Sequence, residues 1–216
     1  MKKIALPLFL FAFYCASAQK EKHVVVYDKA IHLSPLALMQ VDYTAMAGGE
    51  YRLKPNLGLV ADIGYIFGSA YFVDQVSQKA SGFVFRPSIR FYSGARNNFY
   101  MQPQIFYKLV THKMQDWVGM ECVDGVGAYE ELKDFRYRRN IYGLNATIGR
   151  VLPLDKRNRL FVDIFIGLGL RYKRSYVVEE DCKCYQPPSI FDTAQDPDNG
   201  FFPSMPGGIK FVFALW

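Results

Sequence analysis

The sequence predicts an all-β fold, an eight-stranded antiparallel barrel closed on itself, and three observations carry that expectation. Apolar side chains recur at every second residue in run after run, which is the period of a strand and not of a helix. The connections between these runs alternate short and long along the chain. Aromatic residues make up 16% of the composition, with 18 Phe and 15 Tyr, and beyond the N-terminal leader no stretch is long and apolar enough for a membrane helix. A chain that crosses a bilayer without helices must close its backbone hydrogen bonds as a barrel. Aromatic girdles are what such a barrel places at the two interfaces.

The N-terminus predicts export. Lys2 and Lys3 precede an apolar run from Ile4 to Tyr14, and Ala16-Ser17-Ala18 offers the small residues of a cleavage site before Gln19. That is the pattern of a signal peptide over 1–18. The apolar run is too short to span ~30 Å of hydrocarbon. Cys15 would suit a lipoprotein, but Tyr14 stands where a lipobox takes a small residue. Residues 19–30 then form an N-terminal segment and 31–216 the barrel domain. Losing Lys2 and Lys3 lowers the basic residues from 26 to 24 against 20 acidic ones, and the formal charge from +6 to +4. That is too mild an excess to argue for nucleic acid.

The strands follow in order. Ile31 to Met39 and Tyr43 to Leu53 read as the first two, joined tightly at 40–42. Leu57 to Gly68 sets Leu57, Leu59, Ala61, Ile63, Tyr65 and Phe67 against Gly58, Asp62 and Gly64. Phe83 to Tyr92 sets Phe83, Phe85, Ile89 and Phe91 against Arg86, Ser88 and Arg90. Phe99 to Val110 and the less regular Tyr137 to Arg150 come next. Leu160 to Lys173 is the cleanest: Val162, Ile164, Ile166, Leu168, Leu170 and Tyr172 share one face, and Asp163, Gly167, Gly169, Arg171 and Lys173 the other. Pro206 to Trp216 closes the count at eight, with Lys210 opposite Ile209, Phe211 and Phe213. An even count brings both ends to the periplasmic side. The short links at 54–56, 93–97 and 153–158 are then periplasmic turns, and 69–80, 111–134 and 174–205 are long extracellular loops. On this assignment Ile166 meets lipid and Gly167 the lumen, so Gly167→Ala is expected to be milder than Ile166→Arg.

The chain resembles the small outer-membrane β-barrel proteins of Bacteroidota. The resemblance rests on the Ile31-His32-Leu33-Ser34-Pro35-Leu36 opening, the Gly48-Gly49-Glu50-Tyr51-Arg52-Leu53 run before a short turn, and the aromatic C-terminal end. In that family the terminal aromatic keeps step with the lipid face. Here Trp216 is out of step with Phe211, Phe213 and Leu215. The resemblance implies an integral transmembrane barrel of the outer membrane and no particular activity. Outer-membrane lipid and lipopolysaccharide are the partners it implies, with an external protein or ligand at the loops.

Eight strands enclose an interior that side chains largely fill. Hairpin arithmetic sets Glu50 opposite Val60, Asp62 opposite Gly48, Arg90 opposite Leu59, and Arg86 diagonal to Asp62. Glu50, Asp62, Arg86 and Arg90 are therefore expected as a lumen charge network with Asp62 and Arg86 as partners. A buried ion-pair plug and a path for protons or small ions are both compatible with it. A second reading is hydrolytic. His32 and Ser34 share one strand face, and a hairpin centred near Val41 brings Glu50 opposite His32. Nucleophile, base and orienter form the arrangement a lipid A deacylase-like enzyme would use. A third is a soluble periplasmic barrel with an apolar, ligand-binding interior.

Three cysteines survive export: Cys122, Cys182 and Cys184. An oxidising compartment favours a bridge from Cys122 to one of the pair, because adjacent Cys182 and Cys184 would be strained. Three thiols without a nearby His make a poor metal site, and no cofactor is implied. Arg136, Arg138, Arg139, Arg171, Lys173 and Arg174, with Lys133, fall near the loop bases. There they would either contact lipopolysaccharide phosphates or snorkel at the interface. Asp196-Pro197-Asp198-Asn199-Gly200 resembles half a calcium loop without its closing glutamate and reads as a turn.

Overall fold

A computed structural model describes residues 27–39, 41–70, 77–93, 98–121, 128–179 and 199–215. Nine strands form one antiparallel sheet: β1 (Lys29–Leu33), β2 (Asp42–Lys54), β3 (Leu57–Ser69), β4 (Ser77–Ser93), β5 (Phe99–Met120), β6 (Tyr129–Pro153), β7 (Leu160–Val177), β8 (Asn199–Ser204) and β9 (Gly207–Leu215). Each pairs with the next in sequence through β7. The sheet then closes into a ring, because β9 pairs with both β7 and β1. Among the described residues the only helix is a single 3-10 turn, Pro35–Met39. Residues 1–18, where a signal peptide is expected, and Cys122, Cys182, Cys184, Trp216 and residues 196–198 of the acidic turn lie outside the described residues.

The expected count was eight, and the ninth strand has a simple origin. β8 and β9 follow one unbroken register along β7, with Gly169 opposite Ser204 and Ile166 opposite Gly207. Gly167 N donates to Pro206 O at 2.7 Å. Pro206 has no N–H to return the bond, so the ladder lapses at 205–206 and one strand is divided in two.

The alternation of faces is as the periodicity expects. On β7, Ile164, Ile166, Leu168 and Leu170 point outward and are exposed, while Phe161 and Asp163 are fully buried inside. The outer surface is apolar around the ring: Ile63, Tyr65, Ile105, Leu144 and Ile148 are each at least 60% exposed. A polar interior inside an apolar exterior inverts the usual soluble arrangement. The ring has a turn end, where 55–56 and 154–159 connect strands, and an opposite end where β5 and β6 extend furthest. An apolar cluster of Tyr27, Tyr92, Tyr100, Val151, Phe161 and Val212 fills the turn end.

Several boundaries depart from expectation. The first strand stops at Leu33 rather than Met39. Pro35 lacks the donor a strand needs, and Ala37 N turns back to Ser34 O at 3.1 Å. Residues 111–134 are mostly ladder rather than loop. Val110 pairs with Arg139 and the β5–β6 hairpin continues to Met120 opposite Tyr129. Gly167 also sits closer to its neighbour than its expected tolerance of alanine implies. A Cβ there would run into the Ala146 carbonyl, which is backbone and cannot swing away.

A basic cavity beside an unpaired strand edge

The register decides which inward side chains can meet. β2 and β3, joined by a two-residue turn, pair as expected, with Glu50 opposite Val60 and Gly48 opposite Asp62. β3 and β4 are one residue off the expected register. Asp62 lies directly opposite Arg86, and Arg90 opposite Gly58. β1 and β2 differ by two, so His32 faces Gly48 and Glu50 faces Ala30.

The turn-side half of the interior is dense with paired charges. Arg90 is 1% exposed and its guanidinium bonds in three directions, to Glu50 Oε2 at 3.0 Å, Asp163 Oδ2 at 2.9 Å and Gln102 Oε1 at 2.9 Å. The plane stacks on Tyr100, 3.9 Å from the ring centroid. Tyr100 OH donates to the second Asp163 oxygen at 2.6 Å. Tyr27 and Tyr92 donate to Glu50, and Gln102 passes the chain on to Ser88 Oγ at 2.7 Å. Arg52 lies over both Tyr27 and Tyr92, 4.3 and 3.9 Å from the ring centroids. Two carboxylates balance two guanidiniums, and phenols take up the remaining lone pairs. This is the condition under which buried ions are tolerated.

Above this layer Asp62 pairs with Lys210 Nζ at 2.8 Å and with His32 Nε2. Arg86, the partner expected for Asp62, makes no hydrogen bond or ion pair among the described residues, and its Nε has no acceptor. Asp62 attracts it only through space. Near the loop end Asp42 collects Arg139 at 2.8 Å, Lys108 at 2.6 Å and Ser69.

Between the Asp62 and Asp42 groups lies a cavity of about 780 Å³. Six basic side chains line it, Arg86, Lys108, Arg139, Arg171, Lys173 and Lys210, against two acidic ones, Asp42 and Asp62. Arg86 Nε, Asn145 Oδ1 and Ser34 Oγ are among its lining polar atoms that have no hydrogen-bond partner.

The wall beside this cavity is incomplete. β1 covers β9 only from Phe211 to Leu215. Among the described residues no strand pairs with the edge of β8 or of residues 207–210 that faces away from β7, and β2 has no strand on that side over residues 42–45. The 3-10 turn takes the missing strand's place, packed against β2 and touching β9. A residue's N–H and C=O address the same neighbour in an antiparallel ladder. Pro206 addresses β7, so Pro203, three residues earlier, turns its bare nitrogen to the gap. Three prolines, Pro35, Pro203 and Pro206, thus mark this seam in the sequence, as edges do. The cavity reaches through it. Inward-facing Phe202, Ser204 and Lys210 line it, and so do Pro203, Met205 and Ile209 from the outward face of the same strands.

The expected catalytic set is not assembled. His32 is bound to Asp62, Glu50 is committed to Arg90 and two tyrosines, and Ser34 Oγ has no partner. The six basic residues expected at lipopolysaccharide height divide between the faces. Arg139 is 2% exposed and holds Asp42, and Lys173 is buried against the cavity, so these two correct the expectation, while Arg171 is exposed on the inward face and also lines the cavity. Arg136, Arg138 and Arg174 keep outward positions in the alternation. Arg136 bonds Glu179 at 2.9 Å. Partial burial works to raise the Glu179 pKa, and hydrogen bonds from the Arg136 backbone and guanidinium hold it below the usual carboxylate value. No family model, curated protein or solved structure matches this chain.

Proposed function

We propose that this chain is an eight-stranded transmembrane β-barrel of the bacterial outer membrane, exported behind residues 1–18. It would be closed to through-flow and serve a structural or surface-interaction role. The observation that carries this reading is the inversion of faces. A band of exposed Ile, Leu, Phe and Tyr surrounds an interior holding Arg90, Asp163, Glu50, Asp62 and Lys210. Monomeric soluble proteins rarely expose contiguous apolar surface beyond a few hundred Å², whereas an outward apolar band with polar residues inside is the membrane-barrel pattern. A soluble barrel built for an apolar ligand would need the opposite. In this orientation the short turns face the periplasm and the β5–β6 hairpin extends on the outside. The paired layer around Arg90 is what would close the turn end to a water-filled pore.

Cell fractionation tests the reading. The protein should partition with the outer membrane, need detergent for extraction, and migrate faster unheated than boiled on a gel. In planar bilayers it should add no stable conductance. Recovery from the soluble periplasm would overturn the membrane assignment, and a steady open channel would overturn the plug.

A further inference from the structure

We propose that the loop-side cavity binds a single-chain amphiphile with an anionic head. The head would sit beside Arg86, and the chain would leave through the seam between the 3-10 turn and β8–β9. The inference rests on the membrane reading above for the source of the ligand, not for the site itself.

Charge selects the head. The six cations and two carboxylates of the lining leave a positive excess. Asp42 and Asp62 are already held by Arg139, Lys108, Lys210 and His32. Arg86 makes no hydrogen bond or ion pair among the described residues, and its Nε has no acceptor. Its Nε is buried without an acceptor while the half-buried guanidinium faces the cavity, and a carboxylate or phosphate is the group that fork fits. Ser34 Oγ and Asn145 Oδ1 add unclaimed polar positions on the same cavity.

Shape selects the tail. The volume of about 780 Å³ falls in the ~300–1,000 Å³ range of small-molecule sites. A lumen enclosed by a continuous ladder touches only inward side chains, yet this one touches outward Pro203, Met205 and Ile209. The rim is apolar, with Met39 81% and Met205 76% exposed. Methionine is unbranched and adapts its shape to a flexible chain. Non-helical backbone at membrane depth is tolerated where it borders a cavity, which is where this unpaired edge lies. One such path is seen among the described residues, which favours a fatty-acid anion or a lysophospholipid over an intact diacyl lipid.

Native mass spectrometry of the full mature chain, released from a non-ionic detergent, tests this. Oleate and 1-oleoyl-lysophosphatidylglycerol should each add one equivalent, whereas monoolein and inorganic phosphate should not. Both anions binding identifies the shared chemistry. Binding of only one assigns the head as carboxylate or phosphate. Arg86→Met should weaken the anionic ligands by at least about tenfold, the equivalent of one charge-assisted hydrogen bond. Ser204→Trp, which keeps every charge and fills the cavity opposite Gly169, should abolish binding. If Arg86→Met fails to fold, Ser204→Trp still decides. Equal binding of monoolein would show that Arg86 does not select the head, and binding of free phosphate would remove the need for a lateral exit. Either result overturns the proposal, as does undiminished binding in Ser204→Trp. Membrane partition is read separately on the same preparations. A soluble protein that binds oleate refutes the membrane reading and keeps the site, and an outer-membrane protein that binds neither anion refutes the site alone.

Discussion

Arg86 and Arg90 stand four residues apart on β4, both facing inward, and they live in opposite circumstances. Arg90 meets two carboxylates, an amide and an aromatic face. Arg86 meets an open cavity. The wall explains the difference. At the height of Arg90 every strand has two neighbours, and side chains from β2, β5 and β7 converge on it. At the height of Arg86 the chain has spent its first strand by Leu33, and the side of the ring that β1 should occupy holds a 3-10 turn. A complete ladder brings partners to a buried charge, and a broken one leaves room for something else. The turn-side half is therefore the part that stabilises the fold, and the loop-side half is the part free to be used.

The sharpest way to break the comparison is Arg90→Met. It strands Glu50 and Asp163 away from water, and removing one member of a buried ion pair costs about 3–5 kcal/mol. The unheated, compact gel form should be lost or its unfolding temperature in detergent should fall steeply. A mild effect would mean that the layer is hydrated. Ile166→Arg tests the outer face. A charge at the bilayer midplane costs about 2–4 kcal/mol in a membrane barrel, so assembly into membranes should suffer while refolding in short-chain detergent suffers less. Equal damage in both would argue against lipid contact. Gly167→Ala should also destabilise, because its Cβ meets the Ala146 carbonyl.

Asp62→Asn should fall between the two arginines. Lys210 and His32 lose their carboxylate, and hydrogen bonds to charged groups are worth about 1.5–3 kcal/mol. Thermal unfolding of the detergent-solubilised protein should show a clear but survivable drop. Pairing Asp62→Asn with Lys210→Met should be less than additive.

Much of this was legible in the sequence, and the misses have physical causes. Strand identity follows from alternation, and the β2–β3 register follows from its two-residue turn. The β3–β4 register slipped by one because a connection of several residues does not fix where pairing begins. The expected first strand ends six residues too late, because an apolar Pro35-Leu36-Ala37-Leu38-Met39 run looks like strand until Pro35 is given its weight. The outer β5–β6 ladder was hidden because Gln115, Asp116, Glu130, Glu131 and Asp134 carry no apolar alternation, as a hairpin beyond the lipid band need not. Asp163 and Lys210 were placed inward by pattern, but their partners lie across the lumen. Arg90 and Asp163 are 73 residues apart and Asp62 and Lys210 are 148 apart, beyond the reach of pairing between sequential neighbours. The three prolines at the seam were the signal available for the gap.

Arg86→Met is expected to have the smallest effect, and it carries the comparison furthest. With no hydrogen bond or ion pair among the described residues to lose, its removal should shift unfolding by less than about 0.5 kcal/mol, as surface-like substitutions do. It could even stabilise the ligand-free protein by relieving an unanswered charge. Its nearest opposite charge is Asp62, directly across the ladder, but that carboxylate is held by Lys210 and His32. The cycle between Arg86→Met and Asp62→Asn should therefore show coupling below about 0.5 kcal/mol, whereas contacting partners couple by about 0.5–3 kcal/mol. The Asp62–Lys210 cycle supplies the internal standard. Thermal unfolding of the four proteins in each cycle, in one detergent, measures both. Strong coupling of Arg86 to Asp62 would mean that Arg86 serves the fold as Arg90 does, and the two halves of the interior would then differ in degree and not in kind.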